Sequence, residues 1–267
     1  MKNKTCFIVG CGRSLLDLTS EEISYINDSE FVLTFNKYII FSDLVGIIPT
    51  HFLLGDNGEK ADLTLVQTAD KCARHFKEMK FILAKDYQPD TPQYANRQNR
   101  ILNSYPQSAK ISYSQYKLAD QEALDYMART AVYIERYNWL KGGKWAQSLA
   151  DKIFHFRGSL SGAINLAHIY HPAYDIKLVG VDLTEHAYFF QEVIESDPEK
   201  WGIFSRRRLP EDNRHETTVD FKGTHGIQTM FPYIIAQLDK TGSNLHCCNK
   251  SSYLVENDYV PYSAVMS

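Results

Sequence analysis

Residues 5–16 (Thr5-Cys6-Phe7-Ile8-Val9-Gly10-Cys11-Gly12-Arg13-Ser14-Leu15-Leu16) constrain this chain more than any other stretch. Phe7, Ile8 and Val9 form an apolar, β-favouring run of the kind a buried parallel strand needs. Gly10 and Gly12 then allow a tight turn and close backbone approach to a ligand. Ser14 is placed to cap a helix that opens among the leucines. A strand, a glycine turn and a helix start put the N–H groups of residues 12–14 and a positive dipole end beside the strand's carboxyl end, a site for phosphate or another anion. The motif is G-x-G without the third glycine of the dinucleotide fingerprint and without the Gly-Lys-Ser/Thr of a P-loop. A nucleotide site and a tight structural βα turn both stay open on the motif alone.

With 267 residues, the chain suits one large α/β domain or a domain with an insertion. The net charge of −3 offers no basic field for nucleic acid. The five cysteines, Cys6, Cys11, Cys72, Cys247 and Cys248, are odd in number and match neither a disulfide framework nor a zinc spacing, so a reducing cytosol is expected and no metal site is. The first residues run straight into a strand, with no apolar signal region. No stretch approaches the roughly 20 apolar residues of a membrane span. Peripheral attachment at the inner membrane face and self-association stay open.

Further along, Phe31–Phe35 reads as a second strand ending at Asn36, Thr50–Leu54 as a third ending in the Gly55-Asp56-Asn57-Gly58 turn, and Lys80–Ala84 as a fourth. A helical pattern covers 60–78, a short edge strand 111–113 and a helix 119–140, where Leu124, Met127, Ala131 and Ile134 recur at three- and four-residue spacing. Gly158–Ala163 is a second small-residue turn, leading into an apolar helix over 162–170; it suits close approach of a nucleotide or tight helix–sheet packing. Asp175–Leu183 is the clearest buried strand, with Asp182 at its carboxyl end. Residues 184–222 lack a long apolar period and carry Tyr188, Phe189, Phe190, Trp201, Arg206–Arg208 and Arg214, which reads as an active-site lid insertion. His225 stands just before a helix over 227–239, where a neutral imidazole could act as a general base. A last strand, Asn244–Cys248, ends in Asn249-Lys250-Ser251-Ser252, and 253–267 reads as a terminal arm. Residues 10–14, 36, 55–57, 182 and 249–252 thus all fall at strand ends, where an open parallel sheet binds its ligand.

The order of these motifs resembles bacterial sialyltransferases of the Campylobacter lipooligosaccharide type. Val9–Leu15 resembles their G-x-G-P-S-L opening, Thr34–Tyr38 their R-C-N-Q-F segment, Leu160-Ser161-Gly162 their T-S-G turn and Leu178–Asp182 their L-S-G-I-D strand. Gly223-Thr224-His225 falls where they carry G-H before a helix, and Cys247–Ser252 resembles their final C-x-C-P-N-S strand end. The resemblance implies one α/β domain over 1–267: a Rossmann-like, mostly parallel sheet with helices on both faces and a lid insertion over 184–222, a GT-A-like variant. It implies a bacterial glycosyltransferase of lipopolysaccharide or capsule synthesis, using a CMP-activated acidic sugar as donor substrate and a glycan acceptor, with neither metal nor cofactor. Asn36 and Ser161-Gly162 would hold the cytidine nucleotide, Tyr188 would meet the phosphate, and His225 would deprotonate the acceptor hydroxyl. Gly10, Cys11, Gly12, Arg13, Ser14, Asp56, Asn249 and Ser251 complete the expected binding set, with Asp182 beside the chemistry.

Four positions differ from the family pattern: Cys11 stands for Asn, Arg13 for Pro, Leu160 for Thr and Thr184 for the first lid Tyr. The donor sugar is therefore left as sialic acid or a Kdo-like acid. The same opening and V-G-x-D strand resemble a related group similar to a pterin pyrophosphokinase. That reading would need magnesium held by Asp182, Asp56 or Glu185.

Overall fold

The computed structural model describes residues 4–55, 64, 68, 71, 76, 78–88, 126–127, 129–184, 187–201, 215–220 and 223–267. Strands β1 (Thr5–Val9), β2 (Phe31–Phe35), β3 (His51–Leu54), β4 (Lys80–Ala84), β5 (Val132–Ile134), β8 (Asp175–Val179) and β9 (Leu245–Cys247) form one sheet in the order β5-β4-β3-β2-β1-β8-β9. Every pairing in it is parallel. Strands β6 (Arg136–Asn138) and β7 (Ile153–His155) pair separately, also in parallel.

Strand order reverses between β1 and β8. From β1 the chain builds outward through β2, β3, β4 and β5, then returns to lay β8 and β9 on the other side of β1. A parallel sheet opens a crevice at such a reversal, because the connections after the two central strands leave toward opposite faces.

Both faces are covered, which is why these strands are near-continuous apolar runs. One core joins Phe7, Val9, Val32, Phe52, Leu54 and Phe81 to helix α1 (Ser20–Asn27) and to Tyr38, Phe41, Phe189 and Phe190. The other joins Cys6, Ile8, Leu33, Ile82, Ile176 and Leu178 to helix α2 (Ser159–Tyr170). Each fully buried Phe or Ile of these layers contributes about 1.5–3 kcal/mol relative to an exposed one. Helix α1 begins with a reciprocal cap in which Thr19 and Glu22 each satisfy the other's backbone N–H.

The helix expected over 119–140 is corrected. Tyr126, Met127, Arg129 and Thr130 are helical, but Val132–Ile134 and Arg136–Asn138 are strands. The cause is legible: Val132, Ile134 and the interleaved Tyr133 and Tyr137 are β-branched or aromatic. Pairing with β4 buries Ile134 at the sheet edge. Thr64, Thr68 and Lys71 are helical, as expected for 60–78; the strand expected at 111–113 lies outside the described residues.

The described part of 184–222 is seated on the body. Helices α3 (Gln191–Ser196) and α4 (Pro198–Trp201) follow Phe189 and Phe190, and the Phe190 ring stacks on Phe41 at 4.1 Å. Beyond helix α5 (Phe231–Leu238) and helix α6 (Tyr253–Glu256), the terminal arm closes the β9 edge: Cys247 N–H donates to Pro261 O (2.9 Å) and Ser263 N–H to Cys247 O (3.1 Å). Buried Lys177 secures it by donating to Ala264 O (2.7 Å) and Val265 O (3.0 Å). No described helix is long and apolar enough to cross a membrane.

Candidate functional site

The glycine turn after β1 lies against the turn after β8. Gly10 N–H donates to Val179 O (2.8 Å), and Gly12 N–H to Gly180 O (2.7 Å). Ser14 N–H donates to Asp182 Oδ2 (2.9 Å), and Ser14 Oγ–H donates to Asp182 Oδ1. Asn249 Nδ2 also donates to Asp182 Oδ1, at 2.8 Å. The anion at this helix start is therefore the protein's own Asp182 carboxylate. Of the two readings left open for the motif, these contacts fit the structural βα turn, and the capping role expected of Ser14 is corrected. The N–H groups of Gly12 and Ser14 are spent on the protein, and Ser14 does not cap the helix, its hydroxyl being turned to Asp182. Asp182 itself, 8% exposed, braces the two turns with both of its oxygens bonded to the protein.

Gly12 is required here: a Cβ on it would stand 2.4 Å from Asp182 Oδ2. Gly180 has φ +64°, and a Cβ on it would stand 2.5 Å from Leu15 Cγ. Ser251 is exposed, and its N–H donates to Asn249 Oδ1 at 2.9 Å, orienting the Asn249 side chain. Ser252, at the end of the same loop, is the buried anchor, with Oγ donating to Val181 O at 2.7 Å.

Tyr188 is joined to the same turn. It forms an isolated β-bridge with Gly12, and the next residue donates from Phe189 N–H to Cys11 O at 3.1 Å. Its ring stacks on Phe190 with centroids 4.8 Å apart. Lys37 Nζ stands over the Tyr188 ring, 4.9 Å from its centre. Cys11 is half-buried and Arg13 is exposed.

Asn36, immediately before Lys37, turns the other way. It has φ +57°, which an Asn tolerates better than most residues. Its Oδ1 accepts from Ser159 Oγ at 3.3 Å, in the first turn of α2. That helix begins at Gly158 without a side-chain cap. Ser161 and Gly162, expected to face a nucleotide, are buried. Ser161 Oγ accepts from Phe156 N–H (2.9 Å), tying the helix to its own loop, while Gly162 lies beside β7 with room for an ordinary Cβ contact, 3.5 Å from Phe154 O. Ser159, two residues earlier, is the side chain that meets Asn36.

The head of α2 in turn holds the loop bearing His225. Arg157 Nη2 donates to Glu216 O (2.8 Å) and Val219 O (2.6 Å). Ile227 N–H donates to Thr217 O (2.7 Å), while His215 N–H reaches Leu183 O beyond β8 (3.2 Å). On this loop His225 Nδ1 faces Asp220 Oδ2 at 3.1 Å, and Gly226 N–H donates to Asp220 Oδ1 at 3.0 Å. The His225 ring, with the Gly226 N–H, holds the Asp220 carboxyl below the usual carboxylate range. Nothing in the sequence marked Asp220, because an acid five residues before a histidine carries no motif.

One series of contacts thus runs Gly12–Tyr188–Lys37, steps along the chain to Asn36, and continues to Ser159 and the head of α2, which carries the Asp220–His225 loop. No protein-family model, curated protein or solved structure matches the chain. Asp56, Glu185, Arg206–Arg208 and Arg214 lie outside the described residues. Among the described residues, no group of three or more His, Cys, Asp or Glu side chains is placed to hold a metal ion.

Proposed function

We propose that the chain is a glycosyltransferase that moves an acidic sugar, sialic acid or a Kdo-like acid, from a CMP-activated donor to a glycan hydroxyl. The single observation that carries this reading is the contact series at the sheet's reversal point. It joins two of the segments that resemble the sialyltransferase family, those of Gly12 and Asn36, through the head of α2 to the loop carrying the Asp220–His225 pair.

In this reading the cytidylate lies along Asn36, Lys37 and the α2 head, with its phosphate toward Lys37 and the Tyr188 hydroxyl. Charge builds on that phosphate as the bond to the anomeric carbon breaks, and fixed donors stabilise it best when they need not reorganise. The acceptor's O–H proton passes to His225 Nε2 and its oxygen bonds the anomeric carbon. The sugar–phosphate C–O bond breaks with its electron pair leaving on CMP. The 184–222 segment, a lid in the GT-A-like scheme, keeps water from the donor.

Thermal-shift measurements against CMP, CDP, UDP, GDP and ATP, with and without magnesium, test the donor half of the reading. Stabilisation by CMP in EDTA supports it, since a ligand that binds only the folded state raises its stability by mass action. Stabilisation by ATP that depends on magnesium favours the pyrophosphokinase-like reading instead.

A further inference from the structure

The two oxygens of Asp220 face two adjacent residues, one each. Oδ2 lies 3.1 Å from His225 Nδ1 and Oδ1 accepts the Gly226 N–H at 3.0 Å. The carboxylate therefore grips the imidazole and the backbone that carries it. Its own position is fixed from behind. Arg157 pins the loop through the Glu216 and Val219 carbonyls, and the Arg157 guanidinium is the cation whose field reaches Asp220. On the far side of His225, Gln228 Nε2 donates to Thr218 O at 2.9 Å and Gly226 is buried.

An acceptor at Nδ1 selects the Nδ1–H form of neutral imidazole and leaves Nε2 as the lone-pair nitrogen. The His225 side chain is 74% exposed, so that nitrogen is open to an incoming molecule. From this geometry we infer that Asp220 is a positioning residue: it fixes the tautomer and aim of His225 so that Nε2 receives the proton of an acceptor hydroxyl. The inference rests on the transferase reading only for the identity of that acceptor.

The test uses the full chain labelled with 15N-histidine, in wild type, Asp220→Ala and Asp220→Glu, with His225→Gln to assign the ring signals. Asp220 is a surface residue, so Asp220→Ala is expected to fold, and its thermal midpoint serves as a check. The wild-type ring is expected to be Nδ1-protonated when neutral. Asp220→Ala shifts it toward the Nε2–H form, and Asp220→Glu restores it in part. With a CMP-activated donor, Asp220→Ala lowers kcat roughly 10-fold with the donor KM unchanged, well short of the ~10⁴ found when a buried triad Asp is lost. A ring tautomer unchanged by Asp220→Ala overturns the inference. If the tautomer moves but wild type transfers no CMP-linked sugar, the positioning role stands and the transferase reading falls.

Discussion

Ser14 and Asp182 are separated by 168 positions in the chain, yet the Ser14 N–H donates to the Asp182 carboxylate at 2.9 Å. This contact sews the turn after β1 to the turn after β8 at the point where strand order reverses. The Ser14 hydroxyl and Asn249 Nδ2 complete the carboxylate's partners. Hydrogen bonds to a charged group contribute about 1.5–3 kcal/mol, and removing the acceptor leaves its half-buried donors without their partner. Asp182→Ala should therefore lower the unfolding free energy by about 2–4 kcal/mol, read from urea denaturation. Asp182→Asn, which keeps one acceptor oxygen, should cost less.

Close approach of the two turns makes a second expectation sharp. Gly12→Ala would set a methyl 2.4 Å from Asp182 Oδ2 and 2.8 Å from Gly180 O. Overpacking of that kind costs about 1–3 kcal/mol. The variant should lose stability and, because Gly12 is bridged to Tyr188, CMP binding with it. Gly223→Ala, at a position with φ +74° but nothing within 4 Å, should be milder and leave CMP binding intact.

Much of this arrangement was legible before the structure. β1, β2, β3, β4, β8 and β9 announce themselves because strands buried on both faces must be apolar throughout, and the loops expected to meet after β1, β8 and β9 do meet, through Ser14, Asp182 and Asn249. Three short strands escaped notice. β5 and β6 were read as helix because Met127, Ala131 and Ile134 coincide with helical spacing, and three-residue β7 has too few residues to show a period. The glycine turn looked like a ligand's phosphate cradle because sequence cannot reveal that Asp182 would fill it. Ser161 and Gly162 stand out in the sequence as small residues, yet both are buried and the Ser161 hydroxyl is bonded to Phe156. Asp220 and Lys37 matter through what lies across space from them, which no local pattern records.

Lys37 and Tyr188 give the donor site a handle. Lys37→Ala removes the cation over the Tyr188 ring and should weaken CMP binding roughly 10-fold, about 1.4 kcal/mol. Tyr188→Phe keeps the stack on Phe190 and should leave folding stability within about 0.5 kcal/mol. Its lost hydroxyl should lower transfer more than CMP affinity. Calorimetric titration with CMP and steady-state rates separate the two effects.

His51 makes stability depend on pH. It is buried between Phe31 and Tyr170, and burial, with the Lys80 and His171 charges, pushes its pKa down to about 3. An unfolded histidine takes up its proton near 6.5. Between those values the unfolded chain holds a proton that the folded one refuses, so stability present above pH ~6.5 is lost as pH falls. This one group adds a slope of up to ~1.4 kcal/mol per pH unit. His51→Phe should remove up to about that slope from the pH dependence of the unfolding free energy between pH 6.5 and 4, read from urea denaturation.

The most direct measurement is transfer itself: wild type and His225→Ala, each given a CMP-activated acidic sugar and a glycan acceptor in EDTA, with released CMP and elongated glycan both quantified. The account predicts transfer by wild type and a loss of roughly 10²–10⁴ in kcat on removing the imidazole, with CMP binding retained. Absence of transfer by wild type from sialic acid and Kdo-like donors alike, or full activity in His225→Ala, would contradict it.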